Sequence, residues 1–260
     1  MTRTTILIQV IVNLVFGILV LLVVRRYMKY ANMTIDIGAW GVFYTVFGVL
    51  YAIIIGFILI SALGKFDLLK SAVDSEVSEI QNIRIWLSYF SDNQIEAINN
   101  IRKTLFTYVH SIHSTEWDDM IKKDSQPEFS EELRNVRDSV SHLKSEDEND
   151  SIALTSIINT LSGLTECRTK RISLSNEEVP GPIMKLLFFM SVILIFGLII
   201  MGVQNFWVHL FMVSSLSITL QLIINLLTDL NNPFTGIWLI KKDPYYGIVK
   251  SIDNRIIIKD

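Results

Sequence analysis

The chain has 260 residues, 50% hydrophobic and 19% charged, with a formal net charge of −3 and a mean hydropathy of +0.42. A soluble domain carries about 25% charge, whereas here residues 4–24, 37–64 and (His209 apart) 186–228 carry no charged side chain at all. That distribution excludes an ordinary soluble protein. The segment from Lys65 to Pro182 is acidic, with 21 Asp and Glu against 13 Lys and Arg. Nucleic-acid binding is therefore not expected, because phosphate backbones are held by clustered bases.

A membrane-spanning helix needs roughly 20 apolar residues. The first charge-free stretch predicts one span over Ile6 to Val24. Its apolar run is longer than the roughly 7–15 residues of a signal peptide, and Arg25-Arg26 follows as a charged stop, so a retained span is expected. Gln9, Asn13 and Gly17 share one face of it. Amides in lipid seek partners, so this face turns towards another helix.

The second span is predicted over Ala39 to Leu63. Thr45, Gly48, Ala52 and Gly56 form a small-residue stripe that lets another helix approach closely. A different face carries Phe43, Phe47, Leu50, Ile54 and Phe57. Repeated around an oligomer axis, that bulky face would form a hydrophobic constriction able to gate by dewetting; contact with lipid or with other helices is the competing reading. Val73, Val77, Ile80, Ile83, Leu87 and Phe90 continue a helical stripe, so the second span runs on as one long rod.

Ser91-Asp92 reads as a stop and a cap. A helix follows with Ile95, Ile98, Ile101, Leu105, Val109 and Ile112 inward. Asp118 to Ser130 reads as a connector, Glu131 to Lys144 as a short helix, and Ser145 to Asp150 as a solvated acidic loop. Ser151 to Ser173 predicts a strong helix with Ile157, Ile158, Leu161 and Leu164 inward. Pro180-Gly181-Pro182 ends this domain, and proline suits the entry of the next span.

The third charge-free stretch is long enough for two spans, Met184 to Gly202 and Trp207 to Thr228, broken at Gly202-Val203-Gln204-Asn205-Phe206. Ser214, Ser217, Gln221, Asn225 and Thr228 fall within roughly 60° of one another on the last span, at about 100° per residue. Such a stripe faces a partner helix or water; both readings stand. Asp229 closes it at the helix C-terminus, where a negative group is unfavourable for the dipole. A partner is expected for it: a Lys, an Arg or a free amide of the following segment. Beyond it, Ile237 to Ile240 and Arg255 to Lys259 have strand-like composition and read as a short extended tail.

Four spans place both termini and the 65–182 domain on one side. Lys and Arg near the membrane number eight on that side against three (Arg25, Arg26 and Lys29) on the other. The positive-inside rule makes the former cytoplasmic. Trp40 and Trp207 fall at the outer ends, where amphipathic rings favour the interface. The expected architecture is an all-α, multi-pass protein of the cell (inner) membrane: spans over 1–64, a cytoplasmic helical domain over 65–182, spans over 183–229 and a cytoplasmic tail over 230–260.

No phosphate-binding loop, nucleophile elbow or zinc-type cysteine pair is present; Cys167 stands alone. His110, His113 and Glu116 have a spacing able to hold a metal, but chance produces it often on a helix surface. No catalytic residue, cofactor or metal is expected, and an enzyme is the least favoured class.

Three places resemble the bestrophin-like domain family, membrane proteins similar in layout to bestrophin anion channels. They are Tyr51 with Gly56-Phe57 and Glu76 further on; Arg168 and Arg171-Ile172 before Pro180-Gly181-Pro182; and Asp229-Leu230-Asn231-Asn232-Pro233-Phe234-Thr235-Gly236 directly after the last span. Bestrophins continue their Asn-Pro-Phe segment into an acidic calcium clasp. Here Thr235-Gly236-Ile237-Trp238 follows instead, so calcium gating of that kind is not carried over. The resemblance implies a homo-oligomer, a pentamer as in bestrophins, passing an inorganic ion through a pore lined by the second span, with Phe43, Phe47 and Leu50 as neck analogues by position. The alternative is a non-conducting membrane scaffold or sensor whose helical domain binds a partner.

Overall fold

The computed structural model describes residues 3–27, 37–125, 130–201 and 203–248. In chain order the elements are α1 (Arg3–Tyr27), α2 (Ile37–Trp86), a 3₁₀ turn (Asp92–Gln94), α3 (Ile95–Ser111), a π-helical turn (Ile112–Glu116), α4 (Trp117–Lys122), α5 (Glu131–Val140), α6 (Glu148–Asn176), α7 (Gly181–Ile200) and α8 (Phe206–Asn231). No strand occurs among the described residues. Four helices are long and apolar enough to cross a membrane: α1, α2, α7 and α8. The chain divides into two compact units, residues 1–64 with 178–238, and residues 65–177 with 239–260.

In the first unit α1, α7 and α8 pack together around Leu21, Leu198, Ile199 and Val213. Helix α7 begins at Gly181, ahead of the predicted Met184, with Pro180 at the N-cap and Pro182 in the first turn. There the missing amide costs nothing and the fixed φ suits the helix. Asn205 caps α8 by accepting from the amides of Trp207 and Val208. Helix α2 is fixed to α7 by its tyrosines: Tyr51 Oη and Ser191 Oγ are 3.0 Å apart, and Tyr44 Oη donates to the Leu194 carbonyl at 3.0 Å. Gly197 gives Trp40 and Tyr44 room on α7, since a Cβ there would lie 3.4 Å from the Tyr44 ring.

In the second unit the predicted stripes are the core. Val73, Ile80, Ile83 and Leu87 of α2 are buried, as are Ile98, Ile101, Leu105 and Val109 of α3. Helix α2 runs unbroken through 50 residues, the long rod expected from its stripe. Several local expectations are corrected. The break comes at Trp86, before Ser91-Asp92, and Gln94 at the N-cap of α3 makes no cap bond. Its amide instead ties two segments together, donating to the Lys144 carbonyl (2.7 Å) and the Asp150 carboxylate (3.1 Å). The supposed connector is helical as far as Lys122, because the π turn carries α3 into α4. Lys123 then ends it in the left-handed region at φ 59°. The acidic run is not simply solvated: Asp147 caps α6, accepting from the Asp150 amide, and Asp150 is buried. Ile95 and Ile158, both expected inward, are exposed.

The extended tail is also corrected. An extended segment needs a neighbouring strand for its amides, but those of Ile237 and Trp238 are already bound by the Asp229 carboxylate. Residues 243–248 then form a helical turn with Pro244 at its start. The strand-like segment Arg255 to Lys259 lies outside the described residues.

Candidate functional site

The bulky face of α2 stands away from α7. Phe43, Leu50 and Phe57 are exposed in the single chain, Phe57 to 71%, while Phe47 and Ile54 are half-buried. The rings of Phe43 and Phe47 stack at 5.8 Å. The buried residues of the same helix, Tyr51, Ile55 and Ala62, lie on the other side. The small-residue stripe is likewise open: a Cβ at Gly48 or Gly56 would meet no atom within 4 Å.

The polar stripe of α8 turns towards α1. Asn13 Nδ2 donates to Gln221 Oε1, and Gln221 Nε2 donates to Asn225 Oδ1 at 2.7 Å. Gly17 sits against Ser217, whose Oγ would be 3.4 Å from a Cβ there. Ser217 and Asn225 are buried and Ser214 is half-buried, while Thr228 is exposed and bonds back to the Ile224 carbonyl. Asn13 and Gly17 of the face expected on the first span thus meet the stripe expected on the last, while Gln9 is exposed. Of the two readings left open, inter-helix bonding describes Gln221, which pairs with Asn13 of α1; Asn225 accepts from Gln221 on the same helix, and Ser217 packs against Gly17 with no hydrogen bond among the described residues. Replacing Gln221 and Asn225 together by Leu is expected to lower the unfolding temperature in detergent, by an amount equivalent to about 1 kcal/mol for the lost Asn13–Gln221 bond. Equal stability of the double variant would contradict this placement.

After α8 the chain turns on Asp229. Its Oδ2 accepts from the amides of Ile237 and Trp238, each at 2.9 Å. Gly236 has φ +123° and lies directly against the carboxylate. Pro233 and Phe234 are buried, and Asn231 Oδ1 accepts from the Val179 amide at 2.8 Å. Asn232, at the C-cap of α8, returns its amide to the Asp229 carbonyl. The partners of Asp229 include free amides of the following segment, one of the kinds expected.

The second unit holds a buried charge network that sequence reasoning did not assemble. Glu76 is 0% exposed. Its Oε1 accepts from Tyr108 Oη (2.5 Å) and Arg171 Nη2 (3.1 Å); its Oε2 accepts from Arg171 Nε (2.5 Å) and Tyr245 Oη (2.7 Å). Arg171 Nη2 also reaches Glu116 Oε2 at 2.6 Å, and Arg168 Nη2 reaches Glu116 Oε1 at 2.6 Å. Two carboxylates and two guanidiniums therefore balance in charge, and Tyr245 brings the 243–248 turn onto them. The π turn delivers Glu116 to the arginines, and both its oxygens are engaged there. Among the described residues no cluster of three or more metal-ligating side chains occurs. A signal was present in the sequence. Glu76 falls on the apolar stripe between Val73 and Ile80, and Arg168 and Arg171 continue the inward face of Leu161 and Leu164. Charges at core positions must find partners.

Burial pushes the Glu116 carboxyl up, but Arg171 and Arg168 outweigh it and hold the group below the usual carboxylate range. Burial, joined by the negative charge of Glu76, pushes the Tyr108 and Tyr245 hydroxyls well above theirs. A depressed carboxyl stabilises the fold above its unfolded value and loses that contribution as pH falls through the folded one. A raised tyrosine stabilises it fully below about pH 10 and loses that as pH rises further. Unfolding temperature against pH is therefore expected to show a plateau with two shoulders. Glu116→Gln should flatten the acid shoulder and Tyr245→Phe the alkaline one; shoulders unmoved by these variants would contradict the network.

The family model for the bestrophin-like domain matches residues 10–245. No curated protein matches the chain. Among solved structures, a point mutant of a bacterial bestrophin homologue from Klebsiella pneumoniae aligns with a TM-score of 0.75 at 13% identity, covering 96% of this chain and 98% of that one. Another crystal structure of a bacterial bestrophin homologue from Klebsiella pneumoniae aligns with a TM-score of 0.68 at 14% identity, covering 95% and 96%. The fold is thus that of these homologues, and the four apolar helices make this a membrane protein. With its family model matched over nearly the whole length, the chain belongs to the bestrophin-like domain family.

Proposed function

We propose that the chain assembles into a homo-oligomeric ion channel, a pentamer by analogy with bestrophins, whose pore is lined by α2. The observation that carries this reading is the α2 face of Phe43, Phe47, Leu50, Ile54 and Phe57. It is bulky, apolar and largely uncovered in the single chain, on a helix whose other side is fixed to α7 by Tyr44 and Tyr51. Around a symmetry axis such a face makes a hydrophobic constriction. In this arrangement α1, α2, α7 and α8 span the cell (inner) membrane, the 65–182 segment is a cytoplasmic domain with both termini on its side, and the 230–260 tail lies with it. The eight-to-three excess of Lys and Arg supports that orientation.

Ion sign has two competing pointers. The acidic 65–182 segment favours cations at a cytoplasmic mouth, whereas the bestrophin analogy favours anions. A scaffold or sensor without conduction is the second reading. It is favoured by the α8 stripe, where Gln221 bonds to Asn13 of α1 and Ser217 and Asn225 are buried in the single chain. Thiol modification separates the two. In a Cys167→Ser background, a charged water-soluble thiol reagent should block flux through Phe47→Cys and Leu50→Cys but not through Phe189→Cys, on the exposed side of α7. Equal insensitivity at all three positions would overturn the assignment of the pore to α2.

A further inference from the structure

We infer that a cavity between α1, α7 and α8 is a binding site for an aliphatic alcohol group, entered from the bilayer. The cavity has a volume of 180 Å³ and lies wholly within the first unit. An apolar protein cavity of about 150 Å³ admits benzene, so a chain of about six to eight carbons is the matching size. Its wall is mostly apolar, and Phe16, Phe188 and Phe196, all exposed in the single chain, stand around it.

The polar part of the wall selects the ligand. Asn13, Ser191, Ser217 and Gln221 line the cavity. Gln221 and Asn13 bond to each other, and Gln221 also donates to Asn225. Ser217 differs: it is 4% exposed, and its Oγ has no hydrogen-bond partner among the described residues. Helical Ser and Thr commonly bond back to the carbonyl four residues earlier. On α8, Thr219 and Thr228 do so; Ser217 does not. Gly17 opposite leaves its hydroxyl clear, for a Cβ there would come within 3.4 Å of it. A buried water needs two to four polar partners, whereas the other polar groups of the wall are occupied: Asn13 and Gln221 bond to each other, and Ser191 bonds to Tyr51 and to the Leu187 carbonyl. One free hydroxyl in an apolar chamber instead matches a ligand with one hydroxyl and a hydrocarbon chain. The site is independent of conduction and stands or falls on binding.

The test uses the full chain in phospholipid nanodiscs with an eight-carbon alcohol bearing a photoreactive diazirine, the adducts being mapped by peptide mass spectrometry. The expected label concentrates on the α1 and α8 walls of the cavity. It is displaced by octanol but about tenfold less well by octane. Ser217→Val should lower labelling about tenfold, and Ser217→Ala should do likewise, whereas Ser215→Val on the exposed side of α8 should not. The elution profile of each variant shows that it is folded. Displacement by a monoacylglycerol as well as by octanol identifies a lipid as the source of the hydroxyl; displacement by octanol alone identifies a small alcohol. Label spread evenly over the lipid-facing helices, equal displacement by octane, or full labelling of both Ser217 variants overturns the site.

Discussion

Glu76→Gln is expected to destabilise the protein by about 3–5 kcal/mol, the loss typical when one partner of a buried ion pair is removed. The substitution keeps the volume but removes the charge that holds Arg171, a fully buried guanidinium. It also replaces one oxygen that accepts two bonds with an amide that can only donate. Burial disfavours the charged Arg171 guanidinium, but Glu76 first, with Tyr245 and Glu116, outweighs it and raises the group well above its usual range. The second carboxylate cannot substitute, because Glu116 already serves Arg168. The effect should appear as a large drop in unfolding temperature in detergent, together with earlier proteolysis of the 243–248 turn, whose Tyr245 loses its acceptor. Replacing the cluster together, Glu76→Leu and Arg171→Met with Tyr108→Phe and Tyr245→Phe, should recover much of the loss, since well-packed apolar groups often match a buried ion pair and no hydroxyl is then left without its acceptor. A Glu76→Gln protein as stable as the wild type would show that the carboxylate does not hold the core together.

Gly236→Ala is expected to be nearly as damaging. The residue has φ +123°, a conformation that costs other residues about 1–3 kcal/mol of backbone strain, and steric overlap adds to this. A Cβ at 236 would lie 1.8 Å from Asp229 Oδ1, and 2.6 Å from its Cγ. The carboxylate would have to leave, abandoning the amides of Ile237 and Trp238. Asp229→Ala should be destabilising alone for the same reason, yet partly relieve Gly236→Ala, because the clashing group is gone. A double-mutant cycle therefore predicts strong non-additivity. Independent, additive losses would contradict the contact.

Much of this was legible because apolar periodicity and charge-free length report burial directly. The four apolar helices, the unbroken α2 and the core stripes of α2 and α3 follow from that signal, and the proline-flanked entry to α7 from local chemistry. The meeting of Asn13 with Gln221 was half legible: each polar face announced that it needed a partner, but not which one. The turn on Asp229 was anticipated through the dipole argument, since a carboxylate at a helix C-terminus must be compensated locally.

What escaped sequence reading depends on long-range geometry. Glu76, Glu116, Arg171 and Tyr245 converge from α2, the π turn, α6 and the last described turn. Only the fold decides that two carboxylates and two guanidiniums share one space. The π turn has no composition of its own, so the segment after Glu116 read as a connector. The tail read as extended because Ile, Trp and Leu suit strands, yet composition cannot supply the neighbouring strand that an extended segment requires.

The most direct test of the proposed channel is ion flux through the purified protein in liposomes, under opposed KCl and sodium gluconate gradients. The proposal predicts flux selective for one ion, which identifies that ion, and its loss when Phe47 is replaced by Arg at the narrow apolar face. Absence of flux from wild-type protein shown to be folded and oligomeric would contradict it, and would turn attention to what the 65–177 unit binds.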